Sequence, residues 1–192
     1  MGAKDKLVAS TIDLMRRYGI AGTGIAQLLD HSGISRRSVY LNFPGGKAEL
    51  VAEATRVAGE ASSALMRTFT AGADVASCIA AYPAMWREAV LANDFSAGCP
   101  IVAAALGRAE SPAAADMAGR TFAEWEEILA ERLRAEQVEP ETARSLATTI
   151  VAAVEGAVVL SLAERSAAPL ERTGKHLVEL VNQHTGRTMR TS

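Results

Sequence analysis

Eighteen residues, Gly33 to Leu50, read GISRRSVYLNFPGGKAEL. Arg36, Arg37 and Lys47 bring three cations, Ser38, Tyr40 and Asn42 bring hydroxyl and amide donors, and Pro44-Gly45-Gly46 breaks the chain just before the lysine. Side chains of these types grip phosphate, either that of a bound nucleotide or that of a nucleic-acid backbone. A nucleotide loop needs Gly, four residues, then Gly-Lys-Ser/Thr after a buried strand. Here Ala48 follows Lys47, Leu41 stands where the first glycine belongs, and the preceding segment is helical in pattern. GIAGTG, Gly19–Gly24, likewise lacks one glycine and the strand of a dinucleotide fingerprint. Both nucleotide readings fail, and nucleic acid remains.

Other reactive residues offer less. Cys78 and Cys99 are too far apart for a Cys-x-x-Cys motif. Gly98-Cys99-Pro100 places a thiol at a helix start, where the dipole lowers its pKa, so Cys99 serves either a redox-sensing regulator or an ordinary buried core. His176 and His184 lack partners at metal-ligand spacing, so no metal or cofactor is expected. Neither Gly-x-Ser-x-Gly nor His-Glu-x-x-His occurs, which leaves an all-α enzyme built on Cys99 or on glutamates as a poor alternative.

The elements that must position the cations are helices. No stretch alternates as a strand does, and alanine dominates an apolar content of 49% with only 5% aromatics. Helical spacing predicts Lys4–Tyr18 stopped by Gly19, Thr23–Ser32 capped by Thr23, and a helix capped by Ser35 reaching Phe43. A long helix then runs from Lys47 to Thr70, followed by Asp74–Leu91 kinked at Pro83 and a short helix from Pro100. Pro112–Glu136, Glu141–Arg165 and Leu170–Thr185 complete about nine helices in an all-α chain. Thr23–Ser32, a turn at Gly33 and Ser35–Phe43 have the lengths of a helix-turn-helix, with Leu28, Ile34 and Val39 apolar where the two helices must pack. Arg36, Arg37 and Ser38 then occupy the turn that meets base edges, while Tyr40 and Asn42 can donate to phosphates. Pro-Gly-Gly-Lys opens the long helix, whose unpaired amides and positive dipole end would join Lys47 at a DNA phosphate.

Charge divides the same way. Residues 1–50 carry +3 and the remainder −5, within a total of −2. A basic module thus precedes an acidic body. The first residues lack the apolar run of a signal peptide, and the longest apolar stretch contains Glu155 and falls short of a membrane span, so a cytoplasmic protein without membrane association is expected.

YGIAGTGIAQLLDHSGISRRSVYLNFPGGKAEL, Tyr18–Leu50, resembles the DNA-binding domain of TetR-family transcriptional regulators. FPGGKAEL and FSAGCPIVAAALG, Phe95–Gly107, are similar to the LmrA/YxaF-like branch, which contains repressors of multidrug-efflux operons. By position, the resemblance implies a helix-turn-helix domain over 1–46, a ligand-binding and dimerisation domain over 47–186, and a frayed tail at 187–192. It implies that Thr23 and Gly24 begin the helix lying across the DNA backbone, that Arg36, Arg37 and Ser38 face the groove, and that Tyr40 and Lys47 contact phosphates. Arg37 and Asn42 depart from the Gly and His frequent in the family, which leaves the operator sequence open. The implied partners are a pseudo-palindromic double-stranded operator, a second copy of the chain and a small hydrophobic inducer.

For the inducer, Met66, Phe69, Cys78, Tyr82, Met85, Trp86, Phe95, Cys99, Phe122 and Trp125 are the expected lining, although large side chains at this spacing also make an ordinary core. For the two-fold contact the expected residues are Ile150, Val154, Ala157, Val158 and Ser161, with Leu177, Val181 and His184 from the last helix. A DNA-binding architectural protein with no ligand is a further alternative.

Overall fold

The computed structural model describes residues 2–72 and 74–185; the tail expected at 187–192 lies outside them. The described residues form nine α-helices and no strand. These are α1 Ala3–Tyr18, α2 Ile25–Ser32, α3 Arg36–Asn42, α4 Gly46–Thr70, α5 Val75–Ala92, α6 Pro100–Leu106, α7 Pro112–Ala135, α8 Pro140–Glu164 and α9 Ala168–His184.

Local chemistry sets most of these ends. Asp5 accepts the Gly2 N–H at 2.9 Å to start α1, and Gly19 ends it at φ +68°, donating to the Met15 carbonyl. Asp74 caps α5 by accepting from Ser77 N and Oγ, and Glu139 caps α8 by accepting from Thr142 N. The cap of α2 differs from expectation. Gly24 is its N-cap, with its N–H given to Gln27 Oε1 at 3.0 Å. Thr23 is buried, and its hydroxyl donates to the Gly19 carbonyl at 2.7 Å. The turn between α1 and α2 needed that hydroxyl more than the helix did.

The chain packs as two compact units. The first comprises residues 1–62 and 97–121. It holds α1, α2, α3 and α6 with the N-terminal parts of α4 and α7. The boundary expected at 46/47 misses the return of residues 97–121 to this unit. That return is hydrogen-bonded in both directions: Gly98 N donates to the Arg16 carbonyl at 3.0 Å, and Arg16 Nε donates to the Gly98 carbonyl at 2.9 Å. A Cβ on Gly107 would lie 2.7 Å from Ile20 Cδ1, so the end of α6 approaches the α1–α2 turn as only glycine permits.

The second unit comprises residues 63–96 and those from 122 onward, and α5, α8 and α9 pack together within it. α5 continues through Pro83 as one helix, and Pro83 is buried. Gly174 of α9 lies against it, since a Cβ there would fall 2.9 Å from Pro83 Cγ. α8 is long and apolar enough by length and composition to cross a membrane, contrary to the shorter span read from the sequence. Half of its apolar window is buried within the protein, and its one mid-helix charge, Glu155, accepts a hydrogen bond from Tyr82 Oη at 2.7 Å. That is the environment of a core helix.

Candidate nucleic-acid interface

α3 is placed by its inward residues and offered by its outward ones. Ser35 caps it, accepting the Ser38 N–H at 3.2 Å, and Gly33 supplies the left-handed turn before it at φ +66°. Val39 is fully buried, as is Leu28 of α2, while Ile34 between them is half-buried. Phe43 is buried just beyond α3, with Lys4 Nζ 5.8 Å from its ring centroid. At 3.6 residues per turn, burying Val39 with Ser38 and Asn42 beside it turns Arg36, Arg37, Tyr40 and Leu41 outward. Arg36 and Arg37 are exposed and have neither an ion pair nor a hydrogen bond among the described residues.

Most other cations of this unit are engaged. Arg17 pairs with Asp13 at 2.9 Å, as does His31 at 3.1 Å. Burial pushes the Asp13 carboxyl up, but the hydrogen bond and charge of Arg17, then of His31, outweigh it and hold Asp13 below the usual carboxylate range. Lys4 and Arg56 share Glu53, and Arg16 is committed to Gly98. Two guanidinium groups on α3 therefore keep all their donors for an outside partner.

The start of α4 is more occupied than its sequence suggests. Gly46 takes φ +67°, which lets the chain enter the helix with the Tyr40 ring close by; a Cβ there would meet Tyr40 Cε1 at 3.4 Å. The Gly45 N–H donates to Glu49 Oε2 at 2.7 Å, and the Gly46 N–H donates to the Phe43 carbonyl at 2.9 Å. Lys47 Nζ donates to the Ile20 carbonyl at 2.8 Å. The glycine amides expected to meet a phosphate are thus satisfied internally, and Lys47 first ties α4 to the α1–α2 turn. Glu49 was missed, although a glutamate three residues into a helix is the usual signal for such a cap. Asn42 also turns inward, its Nδ2 donating to the Ser38 carbonyl at 2.8 Å. Thr23 and Gly24 are spent on the turn and cap described above. Of the expected contact residues, Arg36, Arg37 and Tyr40 are exposed, and Ser38, Asn42 and Lys47 are half-buried.

In the second unit, part of the expected ligand lining comes together. The Trp125 ring lies edge-on to Phe122 at 5.3 Å between centroids and to Tyr82 at 6.4 Å. Met66, Cys78, Tyr82, Trp86 and Trp125 are buried, whereas Phe69, Met85, Phe95 and Phe122 are half-buried. The indole N–H groups of Trp86 and Trp125 and the Ser161 hydroxyl are buried with no hydrogen-bond partner among the described residues. Glu155 belongs to this cluster through Tyr82, and a lone charge in the uncharged run 145–163 was the signal for it. Cys99 falls in the first unit, and both cysteines are buried thiols outside any disulfide.

The residues expected at a two-fold contact face the other way. Ile150, Val154, Ala157, Val158, Ser161, Leu177 and Val181 are all buried inside the subunit itself, and only His184 is exposed. Outward along the middle of α8 stand Ser145, Thr148, Thr149, Ala152, Gly156, Val159, Leu160 and Ala163, none of them charged; the exposed charges Glu141, Arg144 and Glu164 lie at the helix ends. A Cβ on Gly156 would meet nothing within 4 Å.

Comparison with known proteins agrees with this geometry. Residues 7–54 match the family of bacterial regulatory proteins called the tetR family, and residues 75–176 match the C-terminal domain of LmrA/YxaF-like transcriptional regulators. An HTH-type transcriptional regulator of Mycobacterium tuberculosis is 31% identical over 94% of each chain. The HTH-type transcriptional regulator LmrA of Bacillus subtilis is 25% identical over 94% of this chain and 97% of its own. Among solved structures, regulatory protein TetR from Rhodobacter sphaeroides superposes with a TM-score of 0.85 at 16% identity, covering 92% of this chain and 97% of its own. A TetR regulator from Chloroflexus aurantiacus reaches 0.79 at 25% identity over 95% of each chain. A helix-turn-helix whose second helix opens with two arginines lacking partners among the described residues, followed by a helical body matching one named branch, places this chain in the TetR family of DNA-binding transcriptional regulators.

Proposed function

We propose that two copies of the chain bind a pseudo-palindromic operator as a repressor and leave it when a small hydrophobic molecule occupies the second unit. The observation that carries the DNA half is the pair Arg36 and Arg37: exposed, on one short capped helix, and without partners among the described residues where neighbouring cations have them. An arginine fork bonds guanine O6 and N7 together in the major groove. Tyr40 and the remaining Lys47 ammonium protons contact phosphates, and Lys47 does so from a position braced against the Ile20 carbonyl. Duplexes selected from fragmented genomic DNA by the full-length chain test this. Enrichment of an inverted repeat with half-sites about one helical turn apart supports it, and retention of random sequence only removes it.

The second copy docks through the middle of the outward face of α8, uncharged from 145 to 163 and centred on Gly156, beside α9. A helix pair approaches closely where small residues line the contact, and an exposed Val159 and Leu160 flanking that glycine supply apolar area to bury. This replaces the inward-facing residues named from the sequence.

The ligand reading rests on Tyr82, Phe122, Trp125 and Glu155, joined by ring contacts and one hydrogen bond, with the buried Trp86 one turn beyond Tyr82 on α5. Apolar pockets with a few convergent polar groups are the usual small-molecule sites, and two buried indole donors without acceptors suit a flat molecule bearing oxygen or nitrogen acceptors. The ligand acts only through its differential affinity for the DNA-competent and DNA-incompetent forms. α4, continuous from Gly46 to Thr70, and the reciprocal Arg16–Gly98 hydrogen bonds that tie the α6 segment to α1 are the elements able to pass that bias to the reading helices. Control of an efflux or detoxification gene follows from the branch, as does a cytoplasmic location. A redox switch at Cys99 has less support, because a buried thiol is slow to react.

A further inference from the structure

We infer that Leu41 is a specificity-determining residue that reads the methyl group of a thymine in each operator half-site. This rests on the operator-binding proposal above. Leu41 is 70% exposed, the most exposed large apolar side chain on the helix-turn-helix. A single exposed leucine is ordinary on a protein surface and by itself means nothing. Its register is what matters.

On α3 the inward arc holds Ser38, Val39 and Asn42, and the outward arc holds Arg36, Tyr40, Arg37 and Leu41. Leu41 follows Arg37 by four residues, so it lies on the same face about 6 Å further along the helix axis. Whatever surface receives the exposed Arg37 guanidinium therefore also meets Leu41. Tyr40, its neighbour, is held back against the Gly46 backbone, where a Cβ would come within 3.4 Å of its ring. Leu41 stands clear.

A leucine offers no donor or acceptor, so it ignores three of the four base edges in the major groove. The one apolar feature presented there is the thymine C5-methyl group. Packing the isobutyl group on that methyl buries apolar surface on both sides. Placing it against cytosine N4 instead strips water from an amino group and returns no hydrogen bond. Arg37 and Leu41 together specify a guanine and a thymine within about two base pairs of each other, the distance that 6 Å spans at 3.4 Å per step.

Deoxyuridine differs from thymidine only by that methyl group. A duplex selected by the full-length chain from a random pool is resynthesised with each thymine replaced singly by uracil, and binding is measured for the unaltered protein and for Leu41→Ala. The expected result is one position per half-site where loss of the methyl weakens the unaltered protein about fourfold, the worth of one buried methyl group. Leu41→Ala should bind the thymine and uracil duplexes equally. Leu41 is 70% exposed, so thermal unfolding of the variant should stay close to that of the unaltered chain. No methyl-sensitive position, or a methyl effect that persists in Leu41→Ala, overturns the inference while leaving operator binding intact. Failure to select any duplex overturns operator binding and the inference with it.

Discussion

α3 and α8 each turn one face inward and one outward, with opposite chemistry. On α3, Arg36, Arg37 and Tyr40 mark the outward arc, with Leu41 the one apolar residue among them, and the buried Val39 marks the inward one, so the two charges set the helix's orientation. On α8 both arcs are apolar: Ile150, Val154 and Val158 point in, while Ala152, Val159 and Leu160 point out. A helix apolar all round is either wholly buried or half-buried with a second surface waiting to cover the rest. The contrast shows that charge orients an element locally, whereas apolar surface is assigned to a face only by what packs against it. The two outward faces also need different partners, a phosphate-rich groove for α3 and another apolar helix for α8.

The sharpest way to break this comparison is to strip α3. Arg36→Ala with Arg37→Ala removes two forks worth about 1–3 kcal/mol each, so operator affinity should fall on the order of 10²- to 10⁴-fold. Binding to random duplex should fall far less. Equal losses on both, measured by fluorescence anisotropy at fixed salt, would reduce the pair to phosphate contacts.

Gly156→Arg tests the other face. The position is open within the subunit, and most residues favour a helix more than glycine does, so folding should survive. Sedimentation equilibrium should show a single subunit where the unaltered chain shows two, and operator affinity should drop with the loss of one half-site. A variant that remains a dimer would move the contact off this face.

Between these lie two internal hydrogen bonds. Tyr82→Phe removes the hydrogen bond that Tyr82 gives the buried Glu155 and should cost about 1–3 kcal/mol of stability, read as a lower denaturation midpoint. Lys47→Ala should lower stability by roughly 1 kcal/mol through the lost Ile20 contact, besides flattening the salt dependence of DNA binding. An unchanged melting temperature would show that the lysine serves DNA alone.

The smallest effect belongs to Glu124. The hydrogen bond from Ser63 Oγ, then that from Arg67, hold its carboxyl below the usual range against the opposing effect of burial. A carboxylate depressed in the folded protein contributes stability that is complete above its unfolded value and disappears as pH falls through the folded one. Glu124→Gln should therefore lower stability slightly at pH 7 and make no difference in strong acid. A thermal-melt series from pH 7 to pH 2 would reveal the convergence. The pair is largely solvent-exposed, which keeps the effect below about 1 kcal/mol.

The helix ends were legible because their signals are local. Gly19, Gly33, Ser35, Asp74 and Pro100 act through bonds or backbone angles within a turn, and all nine helices fall within a few residues of the sequence reading. The errors came where a local rule had a distant competitor. Thr23 looked like a cap until the Gly19 carbonyl claimed its hydroxyl. The glycine amides looked ready for phosphate until Phe43 and Glu49 took them, and Lys47 proved braced against the Ile20 carbonyl as well. The return of residues 97–121 to the N-terminal helices had no signal in their own composition.

Sequence alone determined that this chain is all helix, that residues 1–50 are basic, and that Arg36 and Arg37 begin a capped helix after a left-handed turn. Those properties depend on interactions between residues a few positions apart, which any short window of the chain contains. Tertiary structure decided that Arg16 and Lys47 are committed to distant carbonyls, which face of α8 is spent on the core, and that Tyr82 of α5 meets Trp125 of α7 and Glu155 of α8. Those contacts join groups tens of residues apart in the chain, and such pairs become visible only once the helices are packed, whereas Arg17–Asp13 and Arg56–Glu53 lie within one helical turn.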